Sequence, residues 1–600
     1  MNEKISHRGP DGEGIFVRNS IGLGHRRLAI IDLSPAGAQP MSDWGEKIWI
    51  TFNGEIYNFQ ELRQELTEVG VKFKSRTDTE VIIYLYKKYG FDCLKKLRGM
   101  FAFAIWDEEK QLLFLARDKV GKKPLKYYLN NQVFIFASEL KAILTQPEVN
   151  KEIDLTAIDD FLTYQYVPSP KTGFKNIFKL PPASYMVVEK TGKIKIEKYW
   201  NLNFEPKLKL TANELETMVL EKLKESIKLR MIADVPLGAH LSGGVDSSLV
   251  VSLMALESTQ KVKTFSIGFR EGGFNELAYA KLVAQKYQTE HTEFLVRPDA
   301  IEILPQLIYH YEEPYGDSSA LPTWYLSRET KKHVTVALNG DGGDENFGGY
   351  DRYNAARLHN LLELLPFKKA ILKQLSQAPS QKQILRIVKK ILAAYHQDFN
   401  LYYLNLVSYF TTEEKLQLLS PQYQDRESVL QRQSFLTSHL SSLNSNTIDK
   451  IIKADFNTYL PNDLLVKVDV ASMAHGLEVR SPFLDTELLE LSATIPSHLK
   501  IKFFNKKYLL KKIAYNFLPR ECIDRPKKGF AVPLADWFRD ELHEYAREKI
   551  VTDSMAGIGF NIQELEKIIR DHKIGRANNA HKIWLLLTLS EWLQTFFKNA

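Results

Sequence analysis

The sequence is poor in cysteine and has no long apolar run. Its two cysteines, Cys93 and Cys522, are too few for a disulfide framework or a cysteine metal cluster. Such scarcity is typical of proteins that work in a reducing, intracellular setting. No stretch is long and apolar enough to span a membrane, and residues 1–8 contain no apolar segment of a signal peptide. The sequence therefore predicts a soluble, cytoplasmic protein with no membrane partner.

The sequence also lacks a strong excess of charge. It has 80 lysine and arginine residues against 73 aspartate and glutamate residues, a net charge of +7 spread over 600 residues. A nucleic-acid-binding domain concentrates its positive charge in a patch or stripe. The basic stretches 368–373 and 389–390 instead have the pattern of a solvated helix face. We therefore expect no nucleic-acid partner.

The length and the 44% apolar fraction predict more than one globular domain. Up to about residue 200 the pattern is that of short strands with a few helices. Apolar, β-rich runs that predict strands cover residues 48–52, 101–106, 111–116 and 133–137. The second and third of these runs are joined by a polar turn, which predicts a hairpin. Helical spacing covers residues 59–69 and 79–89. This part therefore reads as a layered α+β domain.

A second pattern begins after a segment rich in Asn, Pro and Lys at residues 199–211. We place a domain boundary there, with one domain over residues 1–205 and another over 206–600. From residue 212 a helical period is followed by strands that alternate with helices up to about residue 338. This alternation predicts a doubly wound parallel sheet, whose ligands bind beyond the carboxyl ends of its strands. From residue 350 onward the pattern is mostly helical.

Residues 241–248 read LSGGVDSS between a short apolar lead-in and a long apolar run. This pattern predicts a strand, a tight turn and the N-terminus of a helix, where unpartnered N–H groups and the helix dipole favour an anion. Gly243 and Gly244 allow the backbone to approach a phosphate closely. Asp246 would repel that phosphate unless a cation lies between them, so a metal is implied. The alternative is an ordinary Gly-Ser turn capped by an aspartate.

A second polar loop, NGDGGDENFGGY, covers residues 339–350 and also follows a β-rich run. It combines three acidic residues with five glycines: Asp341, Asp344 and Glu345 are the acids. A solvated acidic turn is one interpretation. We favour a loop that faces the same crevice as residues 241–248, because carboxylates together with a phosphate are how proteins usually hold Mg²⁺.

These two loops, with LPNDLLVKVD at 460–469 and EVRSPFLD at 478–485, resemble the C-terminal domain of the glutamine-dependent asparagine synthetases. The resemblance extends over most of residues 212–540. The N-terminal part agrees, since HRGPDG at 7–12, GHRRLAIID at 24–32 and FNGEIYN at 52–58 resemble the glutaminase domain of that family. The resemblance implies an N-terminal-nucleophile sandwich, incomplete at its start, followed by a doubly wound parallel sheet with a helical C-terminal part.

The family resemblance also implies residue roles in the glutaminase half. Arg27 is expected to grip the carboxylate of glutamine, which suits the fork of a guanidinium. Asn53 and Gly54 are expected to form the oxyanion pocket. Glu55 and Asp78 are expected to hold the α-amine of glutamine.

In the synthetase half, the resemblance implies ATP-dependent formation of β-aspartyl-AMP from aspartate, with glutamine or free ammonia as the nitrogen donor. The residues implied in ATP binding are Leu241, Ser242, Gly243, Gly244, Asp246, Ser247, Ile267, Asn339 and Gly340. Asp246 and Asp344 are implied as Mg²⁺ ligands. Lys507, or its neighbour Lys506, is implied as a mobile cation for phosphate charge. Asp341 is implied in forming the intermediate and as the base for ammonia.

The sequence departs from the family at its start. The family begins Met-Cys-Gly, and the cysteine attacks glutamine with its own α-amine as the base. No such start is present here, and Cys93 is internal and has no free α-amine. Either the chain is a truncated gene product or it is a natural variant without glutaminase action. Because Arg27, Asn53, Glu55 and Asp78 keep the family's residue types, we favour truncation, and for the chain as written we expect no glutaminase activity.

Two further departures concern the synthetase half. Asn339 stands where the family often has Ser, and Val470 where it often has Arg, so contacts to the substrate differ in detail. One alternative is a related enzyme that adenylates another carboxylic acid, because such relatives often have a degenerate glutaminase domain. A non-catalytic relative is another. An ATP-dependent tRNA-modifying enzyme would need a basic RNA-binding face and a reactive cysteine pair, which the sequence does not show. The family suggests a homodimer.

Overall fold

The structure is a computed structural model of the chain. It describes residues 1–269, 276–296, 300–363, 399–420, 434–441, 446–525 and 532–597. The basic stretches 368–373 and 389–390 lie outside the described residues. Within the described ranges, no helix combines the length and the apolar character that crossing a bilayer requires.

The N-terminal part is built mainly from antiparallel sheet. Its strands are β1 (Gly12–Arg18), β2 (Ile21–Arg27), β3 (Met41–Ser42), β4 (Ile48–Ile56), β5 (Gly99–Asp107), β6 (Leu112–Arg117), β7 (Lys126–Leu129), β8 (Phe134–Ala137), β9 (Ile177–Lys179), β10 (Ser184–Glu189) and β11 (Ile194–Lys198). A six-stranded sheet has the order β11-β10-β6-β5-β4-β3, a three-stranded sheet the order β8-β7-β9, and β1 pairs with β2. The predicted hairpin is confirmed, since β5 and β6 are antiparallel neighbours.

The helices of this part are α1 (Phe59–Glu68), α2 (Asp78–Tyr89), α3 (Cys93–Lys96), α4 (Leu140–Ile143) and α5 (Leu155–Tyr164). Short 3₁₀ turns cover Asn2–Arg8, Pro35–Gly37 and Gly90–Asp92.

The six-stranded sheet is covered on both faces, as its side-chain alternation shows. Along β5, Phe101 and Phe103 pack in one apolar cluster with residues of α1 and α2. The intervening Ala102 and Ala104 pack in another cluster with Leu23 of β2. Because successive side chains of a strand point to opposite faces, a strand buried on both sides reads as continuously apolar. The layered sandwich expected from the sequence is therefore confirmed.

The C-terminal part contains one five-stranded sheet with the strands β12 (Leu237–His240), β13 (Lys263–Phe269), β14 (Glu290–Val296), β15 (Val336–Leu338) and β16 (Glu478–Arg480). Its order is β14-β13-β12-β15-β16, and every neighbouring pair is parallel. The predicted parallel sheet is confirmed. The sequence did not predict β16, because three residues are too few to show a strand period.

Helices surround this sheet and form the rest of the C-terminal part. Those up to the second loop are α6 (Ala212–Arg230), α7 (Val245–Glu257), α8 (Leu277–Tyr287), α9 (Ala300–Tyr311), α10 (Ala320–Lys331) and α11 (Gly343–Phe347). The later ones are α12 (Asp351–Glu363), α13 (Phe399–Val407), α14 (Thr412–Leu418), α15 (Ser434–Ser441), α16 (Thr447–Asn457), α17 (Leu465–Met473), α18 (Thr486–Thr494), α19 (Ser497–Lys500), α20 (Tyr508–Ala514), α21 (Arg520–Ile523), α22 (Leu534–Trp537), α23 (His543–Ile550), α24 (Asp553–Gly557), α25 (Ile562–Lys573) and α26 (Ala580–Phe597).

Strand order places a ligand site at the boundary between β12 and β15. From β12 the chain proceeds to β13 and β14 on one side, whereas β15 and β16 lie on the other. Such a reversal separates the loops that leave the two strands and opens a crevice at their carboxyl ends. The two loops singled out in the sequence, 241–248 and 339–350, follow β12 and β15 and therefore border this crevice.

Buried ion pairs join the N-terminal and C-terminal parts. Asp469 of α17 accepts a 2.7 Å hydrogen bond from Arg8 and lies 3.3 Å from the ammonium of Lys123. All three side chains are buried. Burial opposes the ionisation of Asp469, but Arg8 and Lys123 outweigh it and hold its pKa below the ordinary value. The interface is thus specified by charge as well as by apolar packing.

Replacing Asp469 by Asn should destabilise the protein, because two buried cations lose their shared carboxylate. Leaving a buried charge uncompensated costs on the order of 3 kcal/mol or more. Thermal unfolding followed by circular dichroism should show a clearly lower midpoint for Asp469→Asn. The matched control is Asp92→Asn, which removes an ion pair with Lys95 whose partners are 69% and 66% exposed and should leave the midpoint unchanged. Equal midpoints for both variants would contradict the role given to Asp469.

Candidate functional site

The loop after β12 is shaped by its two serines. The hydroxyls of Ser242 and Ser247 are 2.8 Å apart, and the amide of Ser242 donates to Ser247 Oγ at 3.1 Å. Gly244 is the N-cap of α7. The first amides of a helix have no partner within the helix, so the loop presents donors to an anion. The strand, turn and helix predicted from the sequence are confirmed.

Two positions in these loops require glycine. Gly243 has φ +73°, and a Cβ there would lie 2.6 Å from the amide nitrogen of Ala280. A Cβ on Gly340 would lie 2.7 Å from the amide nitrogen of Ser247. The second contact shows that the two loops touch each other, as we expected for loops that face one crevice.

Lys507 bridges the two loops through their carboxylates. Its ammonium pairs closely with Asp246 of the first loop and lies 2.7 Å from Asp344 of the second. Burial alone would lower the pKa of Lys507, but the two carboxylates outweigh it and raise that pKa above the ordinary value. Lys506 instead pairs with the exposed Asp351. Of the two lysines left open by the sequence, the structure brings Lys507 into the site.

Asp341 is held by Asn339, the residue that follows β15. Its carboxylate accepts a 2.5 Å hydrogen bond from the side-chain amide of Asn339. Asn339 is in turn oriented by Ser481, whose hydroxyl donates to Asn339 Oδ1 at 2.8 Å. The side chain of Asp341 is half-buried. Asn at position 339, noted as a departure from the family, thus contacts the implied catalytic acid.

The residues implied in nucleoside binding lie on adjacent strands. Leu241 follows β12, and its amide donates to the carbonyl of Phe265 on β13 at 2.8 Å. Ile267 lies two residues further along β13. The side chains of Leu241 and Ile267 are both buried. Both positions are at the carboxyl end of the sheet, beside the two loops.

A separate cavity of about 320 Å³ contains all five residues implied in glutamine binding. It is lined by Arg27, Asn53, Gly54, Glu55 and Asp78, and also by Met473 and Glu478 from the C-terminal part. The structure therefore brings this predicted set together. From the C-terminal part it adds Met473 and Glu478, which the sequence did not assign to the pocket.

Two carboxylates in this cavity have perturbed pKa values. Burial raises the pKa of Asp78 to about 6, although the amide of Ile56 hydrogen-bonds to the carboxylate and opposes the rise. Burial also raises the pKa of Glu55, against the charge of Arg480. Arg27 is half-buried, and one of its nitrogens donates to the carbonyl of Ser34 at 2.9 Å.

Arg480 of β16 does not line the cavity, but it holds two of the lining carboxylates, Glu55 and Glu478, and the sequence did not predict this role. Its guanidinium is fully buried and donates to Glu55 at 2.9 Å and to Glu478 at 2.9 Å. It also donates to the carbonyls of Arg230 at 2.9 Å and Ile232 at 2.7 Å. The three-residue strand Glu478–Arg480 has a charged residue at each end, which was the available signal, but the partner Glu55 is 425 residues away.

The two cysteines do not contribute to either site. Both are buried, and neither lines the 320 Å³ cavity. Burial raises the pKa of Cys93 to about 12, which suppresses the thiolate that a nucleophile requires. A core role for Cys93, rather than a catalytic one, agrees with its position.

A second, smaller cavity of about 50 Å³ lies between the two parts of the chain. Lys122 and Lys126 line it from the N-terminal part, and Asp469 and Val470 line it from α17. Val470, the other departure from the family, is therefore a half-buried wall residue of this cavity.

Comparison with known proteins gives consistent matches over both parts. A family model described as asparagine synthase matches residues 218–594, and one described as a glutamine amidotransferase domain matches residues 1–200. The chain is 36% identical to asparagine synthetase [glutamine-hydrolyzing] 1 of Bacillus subtilis, with 99% of this chain and 92% of that protein covered. It is 38% identical to a putative asparagine synthetase [glutamine-hydrolyzing] 2 of Methanocaldococcus jannaschii, with 79% and 94% covered. It is 31% identical to a putative asparagine synthetase [glutamine-hydrolyzing] of Mycobacterium bovis, with 99% and 93% covered.

Replacing Gly349 by Ala should disrupt the bridge between the two loops. A Cβ at this position would lie 1.8 Å from Asp344 Oδ1 and 2.3 Å from Lys507 Cε. Both side chains must then move, and we expect ATP affinity to fall at least about tenfold, or ~1.4 kcal/mol. Competition against a fluorescent ATP analogue measures this change. Gly557→Ala is the control, because its Cβ would enter open space; equal affinities of the two variants would refute the proposed geometry.

Proposed function

The chain belongs to the asparagine synthase family, and on that premise we propose that it makes asparagine from aspartate, ATP and a nitrogen donor. A β-aspartyl-AMP intermediate would form first, with release of pyrophosphate. The observation that carries this proposal is the crevice between β12 and β15. There an anion-binding loop and an acidic loop meet around one buried lysine, Lys507.

The chemistry explains why such a crevice is needed. A carboxylate is a poor electrophile at neutral pH, so it must be activated before ammonia attacks it. An oxygen of the aspartate β-carboxylate would attack the α-phosphorus of ATP, and the bond from that phosphorus to the bridging oxygen would break. The amides of residues 242–247 and the ammonium of Lys507 are placed to hold the pyrophosphate that leaves. Fixed donors of this kind stabilise charge as it develops.

The residues of the crevice also fit a magnesium ion. Asp246 and Asp344 come from opposite loops and point to one common position, that of the Lys507 ammonium. Carboxylate oxygens beside a phosphate are the usual ligands of Mg²⁺. When bound, the ion would neutralise part of the phosphate charge.

Asp341 is the residue we assign to the second half of the reaction. Ammonia that attacks the acyl carbon of the intermediate must lose a proton. AMP leaves as the bond between the acyl carbon and the phosphate oxygen breaks. A half-buried carboxylate, oriented by Asn339, is suited to accept that proton. The hydrogen bond from Asn339 fixes the direction in which the carboxylate points.

The 320 Å³ cavity supports glutamine as the ligand of the N-terminal domain. Its lining combines Arg27 for a carboxylate with Glu55 and Asp78 for an α-amine. To release nitrogen from glutamine, the domain would also need a nucleophile, and the residues assigned to this lining do not supply one. We propose that ammonia can serve as a donor, since the crevice contains the acid and the phosphate loop that the synthetase reaction requires. The boundary near residue 205, a homodimer and a cytoplasmic location remain predictions.

Asp341→Asn should lower asparagine formation by orders of magnitude and leave ATP binding intact. The amide cannot accept a proton, so an interaction needed in the transition state is lost. Asparagine formed from aspartate, ATP and ammonia measures the effect, and Asp351→Asn, an exposed acid of the same segment, is the control.

Pyrophosphate release should be measured for wild type with aspartate and with other carboxylic acids. A preference for another acid would overturn the assignment of aspartate, and full turnover by Asp341→Asn would refute its role.

Glutamine binding should weaken as the pH falls through about 6. The pKa of Asp78 is raised to about 6, so below that pH the carboxylate is protonated and no longer attracts an ammonium group. Affinity should fall about tenfold per pH unit below 6 and level off above 7. Calorimetric titration with glutamine between pH 5 and 8 measures the profile.

The same titration of Asp78→Asn separates this carboxylate from its neighbour Glu55, whose pKa burial also raises. The variant should bind weakly at every pH and lose the step near 6. A wild-type profile that is flat from pH 5 to 8 would contradict the role of Asp78.

A further inference from the structure

Lys122 is a buried cation whose charge the fold does not use. Its side chain is 3% exposed, and its ammonium has no hydrogen-bond partner among the described residues. The loop that carries it is held firmly, since the amides of Lys122 and Lys123 donate to the two oxygens of Asp118, each at 2.9 Å. The position of Lys122 is therefore set by backbone hydrogen bonds, and its ammonium is not needed to hold the loop.

The ammonium of Lys122 lies between the two domains and close to the synthetase crevice. Lys122 lines the 50 Å³ cavity opposite Val470 of α17. Burial lowers its pKa, and Asp341 is the carboxylate that most strongly opposes this effect. The charge of Lys122 also lowers the pKa of His240, the last residue of β12. Lys122 of the N-terminal domain thus lines the cavity between the two domains and lies within the electrostatic reach of Asp341 in the crevice.

The other charged groups around this cavity have partners of their own. Asp469 is paired with Arg8 and Lys123. Lys126 lies 2.8 Å from Glu312, and Lys179 lies 2.6 Å from Glu313. Arg117 donates to the carbonyls of Gly121, Lys123 and Leu180. An isolated buried cation costs several kcal/mol of stability. A buried charge that destabilises the fold and has no structural partner is typical of groups that bind a ligand.

The proposed substrate has a charge that needs such a cation. Aspartate carries two carboxylates, and only the β-carboxylate is consumed by adenylation. The α-carboxylate stays ionised throughout the reaction and has to be paired if it is buried. A cavity of about 50 Å³ has room for a few water-sized groups, so it accepts a carboxylate head group but not a whole amino acid.

We propose that Lys122 binds the α-carboxylate of the acid substrate and so selects α-amino acids for adenylation. The inference rests on the proposed function and names a residue from the N-terminal domain as part of the synthetase site. Its consequence is specificity: an acid that lacks the α-carboxylate would leave Lys122 buried and unpaired. Sites built to pair a polar group reject analogues without it far more strongly than apolar pockets reject a missing methylene.

β-Alanine is the direct probe, because it is aspartate without the α-carboxylate. Pyrophosphate release should be measured with aspartate and with β-alanine, at saturating ATP and ammonia, for wild type, Lys122→Met and Lys122→Arg. We expect Lys122→Met to raise the KM for aspartate about a hundredfold with an unchanged KM for ATP. The preference for aspartate over β-alanine should fall by a similar factor. Lys122→Arg keeps the charge and should recover much of that preference.

Lys500→Met is the matched control. Lys500 is also fully buried and its ammonium has no hydrogen-bond partner in the described part of the chain. It belongs to α19 and does not line either cavity. Removing its charge should leave both KM values and the preference for aspartate unchanged, so a general effect of deleting a buried lysine is separated from a specific one.

Three results would overturn the inference. An unchanged aspartate KM and preference in Lys122→Met refute it and leave the proposed function standing. A markedly lower melting temperature of Lys122→Met would show that the charge stabilises the fold, whereas our inference expects an equal or higher value. If wild type releases no pyrophosphate with any α-carboxylated acid, the proposed function and this inference fail together.

Discussion

The buried guanidinium of Arg480 is the interaction on which the relation between the two domains depends. On its side-chain end it pairs with Glu55, which lines the 320 Å³ cavity. On its backbone end its carbonyl accepts the amide of Asn339 at 3.0 Å, and Asn339 holds Asp341. Buried charges are tolerated only with their partners in place. Separating the domains would leave Glu55 and Arg480 without each other as partners. The fold therefore keeps the two sites in one fixed relation.

A similar constraint shapes the crevice itself. Asp246 and Asp344 are brought so close that both would repel one another without a cation between them. In the described structure that cation is Lys507, whose backbone adopts φ +54° to begin α20. Gly340 and Gly349 leave the space in which the loops meet. In the function we propose, the phosphates of a nucleotide would bring further negative charge to Lys507, whose position is already fixed by the two carboxylates.

Much of this architecture was predictable from the sequence, and the reason is local. The alternation of strands and helices after residue 212 specifies a parallel sheet, and the loop 241–248 carries its own turn and helix signals. The five residues implied in glutamine binding were predicted from the resemblance to the family, and the structure brings all five together around the 320 Å³ cavity. Signals within a dozen residues were thus sufficient for most of the elements and for these five residues.

What the sequence did not predict depends on contacts between distant residues. The strand β16 is recognisable only by its pairing with β15, and Arg480 acquires its role from Glu55 on the other domain. Lys507 is distinguished from Lys506 by its pairing with Asp246 and Asp344, which are distant in the sequence. Val470 was singled out only as a departure, and its place beside Lys122 in one cavity emerges when the two domains pack.

The packing of β16 and α17 gives these distant contacts a common origin. Met473 and Glu478 face the 320 Å³ cavity, whereas Asp469 and Val470 face the smaller one. Between them runs one short segment of the C-terminal domain, so a single wall serves both cavities. A close-packed interior transmits displacement because it has little free volume. A substitution on one side of this wall therefore alters the groups on the other, and the two sites have to be considered as parts of one charge-paired unit.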